Sequence, residues 1–298
     1  MQDLGTPGDH EGIAWGVSAD GSVVVGEGWE PFGFTHAFRW TASGGMQNLG
    51  TLGGTESMAY GVSPDGLVVV GRAWDAFSNV RPFRWTASGG MQDLGTLGGW
   101  HGEARDVSAD GSVVVGWANN ASDRNRAFRW TASGGMQDLG TLGGDESGAF
   151  GVSADGSVVV GWAENASGYL RAFRWENGGM QDLGTLGGHE SVAWGVSADG
   201  SVVVGWAENA SNSQRAFRWT ASGGMEDLTR TYASLLTPGS ELSWATAISP
   251  NGRYIVGWGY NAATGRLEGY LLDTVPEPSA VVVLGAGLAG LWRVRRRR

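Results

Sequence analysis

The chain has 298 residues, among them 53 Gly and 16 Trp, with no Cys and a formal charge of −10. Without cysteine it has no disulfide framework, no thiolate metal site and no cysteine nucleophile, while an oxidising compartment stays open to it. Five of its 20 basic residues, Arg293 and Arg295–Arg298, close the sequence, and without residues 274–298 the body holds 15 basic and 29 acidic side chains, a balance of −14 that repels nucleic acid and anionic surfaces.

In chain order, Met1-Gln2-Asp3-Leu4-Gly5-Thr6 returns almost unchanged at 46, 91, 136, 180 and 225, so the chain opens inside a repeat. Next come two short apolar runs joined by Ser-Ala-Asp-Gly, as in Gly151-Val152-Ser153-Ala154-Asp155-Gly156-Ser157-Val158-Val159-Val160-Gly161. Asp or Asn followed by Gly is the chemistry of a tight turn, so each such segment is predicted to be a hairpin. Its six copies place Val17, Val62, Val107, Val152, Val196 and Ile248 at intervals of 45, 45, 45, 44 and 52 residues, periods that belong to propellers and solenoids. The Val-Val-Val runs do not alternate with polar residues, which predicts strands covered on both faces.

A loop of variable sequence follows each hairpin, then a strand of the type Ala37-Phe38-Arg39-Trp40, a Gly-rich turn and the Met-Gln-Asp-Leu strand. In the fourth copy the turn is one residue shorter, Glu176-Asn177-Gly178-Gly179, and its Asn-Gly suits a two-residue loop. Four antiparallel strands in about 45 residues fit one propeller blade better than a solenoid rung. The expected fold is an all-β propeller of six blades over residues 1–273, closed by residues 1–5 as the outer strand of the last blade. Closure of this kind removes both sheet edges.

From Thr274 the composition changes to Val275-Pro276-Glu277-Pro278-Ser279, an apolar run over 280–292 and the arginines. As a helix of about 1.5 Å rise per residue the run covers roughly 20 Å, short of a ~30 Å hydrocarbon core. It is read as a short apolar helix entering the membrane, with the arginines cytoplasmic and the body on the far side.

Two resemblances follow. His36-Ala37-Phe38-Arg39-Trp40, with the Met-Gln-Asp-Leu-Gly-Thr-Leu-Gly-Gly and Gly-Val-Ser-Ala-Asp-Gly-Ser-Val-Val-Val-Gly segments, resembles the HAF-repeat family of extracellular bacterial proteins over residues 1–273. The literal triplet occurs once; other copies read Arg-Ala-Phe or Arg-Pro-Phe. The tail resembles a PEP-CTERM sorting signal, with Pro276, Glu277 and Pro278 as its motif. That resemblance implies processing by an exosortase and a cell-surface or extracellular place in a Gram-negative bacterium, often one that makes exopolysaccharide. Such proteins carry an N-terminal export signal, and residues 1–30 show none. An upstream start, with six blades as a minimum, is the expectation.

Candidate chemistry is sparse. Gly285-Ala286-Gly287-Leu288-Ala289-Gly290 fits a dinucleotide fingerprint but lacks a preceding strand and lies in the apolar tail. Arg39, Arg84, Arg129, Arg174 and Arg218 are expected to pair with the facing Gln-Asp strand, through Asp93, Asp138, Asp182 and Asp227. Asn120-Ala121-Ser122, Asn165-Ala166-Ser167 and Asn209-Ala210-Ser211 fit a glycosylation pattern and are read as polar loop residues. Sequence variation gathers between second and third strands, over 30–35, 75–80, 119–125, 164–170, 208–214 and 260–266, as in binding loops on a rigid scaffold. Near these loops Glu11, Glu56, Glu146 and Glu190 form a carboxylate semi-ring, with His101 in the corresponding place of the third copy. Trp117, Trp162, Trp206 and Trp258 form a second, where Glu27 and Arg72 stand in the first two copies, and rings so placed could stack on sugars or pack between blades. The resulting expectation is an exported binding or scaffold module, possessing no catalytic activity, cofactor or metal and contacting extracellular polysaccharide; the rival is a secreted carbohydrate-active hydrolase or lyase. That chemistry requires a non-repeated carboxylate pair.

Overall fold

In a computed structural model, residues 3–5, 11–29, 33–275 and 283–284 are described. The observed fold is all-β, with six four-stranded antiparallel sheets, each a meander in chain order. The first comprises β1 (Gly12–Val17), β2 (Val23–Trp29), β3 (Thr35–Thr41) and β4 (Gly45–Asn48). The second comprises β5 (Gly53–Val62), β6 (Val68–Asp75), β7 (Val80–Thr86) and β8 (Gly90–Asp93). The third comprises β9 (Gly98–Val107), β10 (Val113–Asn120), β11 (Asn125–Thr131) and β12 (Gly135–Asp138). The fourth comprises β13 (Gly143–Val152), β14 (Val158–Asn165), β15 (Leu170–Glu176) and β16 (Gly179–Asp182). These four sheets form one compact unit, Met1–Asp182.

A second unit, Leu183–Arg298, holds the other two sheets. They comprise β17 (Gly187–Val196), β18 (Val202–Asn209), β19 (Gln214–Thr220) and β20 (Gly224–Asp227), then β21 (Glu241–Ile248), β22 (Tyr254–Asn261), β23 (Arg266–Asp273) and β24 (Val283–Leu284). Between them the interval of 52 residues accommodates a one-turn helix, α1 (Leu228–Thr231), and a 3-10 turn, Ala233–Leu235. Asp227 caps α1 by accepting from the N–H groups of Thr229 and Arg230. Leu228 and Leu236 from this insertion join the core of the sixth sheet.

The hairpin turns fold as their residues dictate. Ser108 Oγ donates to Asp110 and accepts the Val113 N–H, while Asp110 accepts the Ser112 N–H, and the same bonds recur around Asp20, Asp65, Asp155 and Asp199. These donors favour the ionised form. The N–H and hydroxyl groups of Ser22, with Ser18, hold Asp20 at about 2, and equivalent donors hold Asp110 and Asp155 there. A carboxyl whose folded pKa is depressed contributes stability above its unfolded value near 3.8 and loses it as pH falls through about 2. Acid unfolding followed by tryptophan fluorescence is therefore expected to set in between pH 4 and 2. A transition complete above pH 4 would contradict the turn chemistry.

Within the first unit the sheets lie face to face, the first strand of one against the second and third strands of its predecessor. Val68, Val69 and Val70 are exposed by 5, 0 and 0 %, as expected for a run covered on both sides. Val68 and Val70 pack with Ala104 and Val107 of the next sheet, and Val113 and Val115 with Ala149 and Val152 of the one after. Polar links bridge the same seam. Ser57 Oγ accepts the Ala37 N–H at 2.9 Å, Ser147 Oγ accepts that of Ala127, and the Ala154 carbonyl accepts the Ala109 N–H.

Three sequence expectations are corrected. First, of the arginines expected to pair with the facing Gln-Asp strand Arg218 does so, through Glu226 at 2.9 Å and not Asp227, whereas Arg39, Arg84 and Arg129 do not; each of these donates to a carbonyl in the turn of the next sheet, Gly66, Gly111 or Gly156, at 3.0–3.2 Å. The register places Arg84 opposite Gln92, leaving Asp93 to Arg81 at 3.1 Å and Asp138 to Arg126 at 3.1 Å. His36 and Asn48 occupy those places in the first sheet and contact each other at 3.1 Å, in place of the Arg–Asp pairs of the next two sheets. Second, Asp3–Gly5, the described part of residues 1–5, does not complete the last sheet. Its fourth place is taken by β24, with Tyr270 opposite Leu284 and Leu271 opposite Val283, whereas Asp3–Gly5 belongs to no strand. Third, the described part of the 280–292 run is strand, not helix, in keeping with its β-branched Val281-Val282-Val283. The remainder of that run, Pro276, Glu277, Pro278 and the arginines lie outside the described residues. No helix among the described residues is long and apolar enough to cross a membrane.

Candidate functional site

In this repetitive chain the informative positions are those where a uniform element departs from itself. In the first unit each inner strand carries a β-bulge, and the extra residues are Trp15, Tyr60, Arg105 and Phe150. A bulge re-aims the side chain it carries. The four form a connected row. Trp15 meets Tyr60 edge-on with centroids 6.3 Å apart, and the Arg105 guanidinium lies 4.5 Å from the Tyr60 ring centre and 5.9 Å from that of Phe150. Such cation–π contacts hold an arginine against an aromatic face.

Around this row three charges occur once each. Glu103, its side chain 5 % exposed, receives Arg72 from the preceding sheet and Arg105 from its own strand, the latter at 2.5 Å. The Arg72 guanidinium also lies 5.3 Å from the ring centre of Trp74. Burial, reinforced by the Glu103 charge and opposed by Arg72 and Arg105, pushes the Tyr60 hydroxyl up to about 12. Glu27 is 6 % exposed, and its Oε1 accepts from Trp15 Nε1 at 3.2 Å. Its other oxygen is buried with no partner among the described residues. A buried carboxylate oxygen left unpaired is costly, and a native structure that keeps one invites a ligand donor.

Asp106, also unrepeated, stands where the other copies of unit one carry Gly16, Gly61 and Gly151. It accepts the N–H groups of Val107 and, in the next sheet, Val152 at 2.8 and 2.9 Å. Burial outweighs those two bonds and raises its carboxyl to about 6.

Corresponding positions of the second unit hold tryptophans. Trp244 stacks on Trp206 and Trp258 at 5.5 and 5.3 Å and on Trp194 at 6.0 Å, and its indole N–H donates to Gln214 at 2.8 Å. Trp206 is 5 % exposed and Trp258 36 %. Offset stacking of this kind adds to the burial of the rings.

Trp117 and Trp162 are half-buried on β10 and β14. Glu11 is exposed ahead of β1, whereas Glu56, Glu146 and Glu190 are half-buried on the inner strands and His101 is exposed. No group of three or more His, Asp or Glu among the described residues is placed to hold a metal ion. In the variable loops Asn120, Asn165 and Asn209 each accept two backbone N–H groups, those of Ser122 and Arg124 in the first case, so the Asn-Ala-Ser triplets are turn formers. A shallow cleft of about 260 Å³ beside Asn209, Asp227 and Arg230 lies below the usual range for ligand pockets, about 300–1,000 Å³. Sequence reasoning missed the bulge row and Glu103. The available signal was the residue two places before the repeated Val or Ile in the most uniform hairpin, which runs Trp, Tyr, Arg, Phe, Trp and Thr.

Among solved structures the chain is similar to TolB from Acinetobacter baumannii, at 14 % identity and a TM-score of 0.51 over 72 % of this chain and 53 % of that one. It is similar too to the protein described as TolB from Agrobacterium tumefaciens, at 16 % identity and a TM-score of 0.53 over 90 and 91 %. A weaker likeness, on which nothing below depends, is to the β-propeller domain of the Trilobed protease from Pyrococcus furiosus, at 9 % identity and a TM-score of 0.48 over 90 and 97 %. The chain thus spans about half the length of the first of these, and at such identities the likeness is one of fold, an all-β arrangement with propeller-like neighbours. No curated protein matches it in sequence. Residues 274–298 match the PEP-CTERM protein-sorting motif, a substrate signal of exosortase-type processing, and by that signal the chain is an exported protein.

Proposed function

We propose that this is a cell-surface or extracellular-matrix protein of HAF-repeat type, its body a six-bladed propeller that binds ligand without transforming it. An exosortase-type enzyme processes it near Pro276-Glu277-Pro278. The observation that carries the binding reading is Glu27, a buried carboxylate with one oxygen disengaged beside the 53 % exposed Trp15, at a place where four of the six copies carry tryptophan. An acceptor next to an aromatic face suits a sugar hydroxyl or amine. The acidic body favours neutral or amino-bearing polysaccharide over acidic chains. Trp117, Trp162, Glu56 and Glu146 are proposed as further contacts on the same unit.

Binding is preferred to hydrolysis because the acids do not form a working pair. Glycoside hydrolysis needs two carboxyl groups in complementary roles. Glu103 is engaged by Arg72 and Arg105 and Asp106 by the N–H groups of Val107 and Val152, so of these three unrepeated acids Glu27 is the one with a carboxylate oxygen that has no partner among the described residues.

Two measurements test the proposal. A glycan array probed with the full chain is expected to show binding that Trp15→Ala or Glu27→Gln weakens at least about tenfold, the scale of one lost hydrogen bond to a charged group. Indifference of both variants would remove the site. Mass spectrometry of the protein from an exosortase-bearing host is expected to show a C-terminus lacking the arginine cluster, and an intact Arg298 on exported protein would refute processing.

A further inference from the structure

An asparagine followed by glycine carries its own electrophile and nucleophile. The side-chain carbonyl carbon lies within reach of the next backbone nitrogen, and glycine has no side chain to hinder closure of a five-membered imide. The sequence holds two such pairs, Asn177-Gly178 and Asn251-Gly252. They sit in different turns, and their reacting groups are held in opposite ways. Asn251 takes the place that Asp has in the other hairpin turns. Its Oδ1 accepts the Ser249 hydroxyl at 2.7 Å and the Arg253 N–H at 3.1 Å, which fixes the carboxamide. Gly252 is buried, and its N–H donates to the Ser249 carbonyl at 2.9 Å. Attack by that nitrogen has to break these bonds first, so it requires local opening of the turn.

Asn177 and Gly178 form the two-residue loop between β15 and β16, where Glu176 faces Gly179. Both have positive φ, 52° and 83°, the backbone of a type I′ turn. Asn177 is exposed, and neither its carboxamide nor the Gly178 N–H makes a hydrogen bond among the described residues. A Cβ on Gly178 would meet nothing within 4 Å, so the turn has open space for the ring to close. Both reacting groups are thus adjacent, unbonded and free to rotate toward each other.

We infer that Asn177 is a site of self-modification by deamidation, from which the turn around Asn251 protects the same dipeptide. The Gly178 nitrogen gives up its proton and bonds to Asn177 Cγ, and the Cγ–Nδ2 bond breaks so that the amide leaves as ammonia. Water then opens the imide at either carbonyl, giving aspartate or isoaspartate. The sum consumes a water and releases an ammonia, with no oxidant or reductant. Isoaspartate routes the main chain through the side chain and lengthens the loop by a single main-chain atom. The sheet has room for this, since the corresponding loop of the third sheet, Ala132-Ser133-Gly134 between Thr131 and Gly135, is a whole residue longer. Either product adds a negative charge at the tip of the turn.

Peptide mapping by mass spectrometry of the full chain, aged in mildly alkaline buffer with and without urea, tests this. In the folded chain Asn177 is expected to convert at least about tenfold faster than Asn251, whose reaction waits on local opening. In urea the two rates should converge, because the dipeptides are identical once the turns are gone. Comparing the two sites within one sample makes the result independent of buffer and age. Ion exchange of the folded protein gives a second readout. The wild type should acquire an acidic form with time, and Asn177→Ser should not. Three outcomes would overturn the inference: equal conversion of both asparagines in the folded chain, conversion of Asn177 only after unfolding, or an acidic form that accumulates undiminished in Asn177→Ser.

Discussion

Replacing Gly116 by alanine is expected to lower the stability of the chain by about 3 kcal/mol or more, the upper end for overpacking a close-packed interior. A Cβ at this residue would stand 1.9 Å from the Glu103 carbonyl oxygen and 3.0 Å from the Ala104 Cα, both backbone atoms of the paired strand. No side-chain rotation relieves such a contact, so β9 and β10 must part where the bulge brings them together. Gly116 is needed for space, not for an unusual backbone angle. The repeat writes Gly at this place in all its copies, Gly26, Gly71, Gly161, Gly205 and Gly257 included. A control separates the two roles of glycine. Gly269 stands where other copies have Ala37, Ala127, Ala172 and Ala216, and a Cβ there meets nothing nearer than 3.7 Å. Gly269→Ala is accordingly expected to be neutral, or stabilising by about 0.4–1 kcal/mol through the unfolded chain. Chemical denaturation of both variants checks the pair of expectations, and equal effects would show that contact distance is not what selects glycine at 116.

The same residue illustrates what the sequence discloses. Periodicity located every strand of the repeat, because Ser-Ala-Asp-Gly and Asn-Gly encode turns locally and an unbroken valine run encodes burial on both faces. Partner choice was less legible. Arg84 and Asp93 are opposite in sign and sit on adjacent strands, so pairing them is natural, but register puts Gln92 opposite Arg84 and gives Asp93 to Arg81. Only the paired change to His36 and Asn48 in the first copy carries that information in the sequence itself. The closing strand was misassigned for a related reason. Residues 1–5 match the missing strand in sequence, yet a sheet edge accepts any extended apolar segment, and Val283–Leu284 takes the place.

The candidate site was legible at the level of residue type, not of position. Tryptophans after the valine run were recognisable, and three-dimensional contacts divide them: Trp206 and Trp258 enter the Trp244 stack, while Trp117 and Trp162 are half-buried in the first unit. Glu27 and Arg72, which interrupt that series, mark the first unit as the one that departs from repetition. A bulge residue projects out of the alternating pattern on which strand reading depends. That is why Trp15, Tyr60 and Arg105 could not be placed together from spacing alone.

Asp106 provides the second large expectation, a stability that rises as pH falls from 7 towards 4. Its carboxyl is raised from 3.8 to about 6 because burial disfavours the charge more than the N–H groups of Val107 and Val152 stabilise it. A raised acid contributes stability that is complete below the unfolded value and is lost as pH climbs through the folded one. Two units of separation correspond to about 3 kcal/mol. Reduced self-repulsion of an acidic body acts in the same direction. Below pH 4 the hairpin aspartates, with depressed values, reverse the trend. The wild type should thus be most stable near pH 4–5, close to its sequence pI of about 4.8, and not at neutrality. Asp106→Gly, which restores the residue of the neighbouring repeats, should flatten the slope between pH 4 and 7 while leaving the acid limb in place. Thermal unfolding across that range decides the matter: a variant with the wild-type slope would mean that Asp106 is not the titrating group, and a wild type most stable above pH 7 would mean that its carboxylate is not buried at a cost.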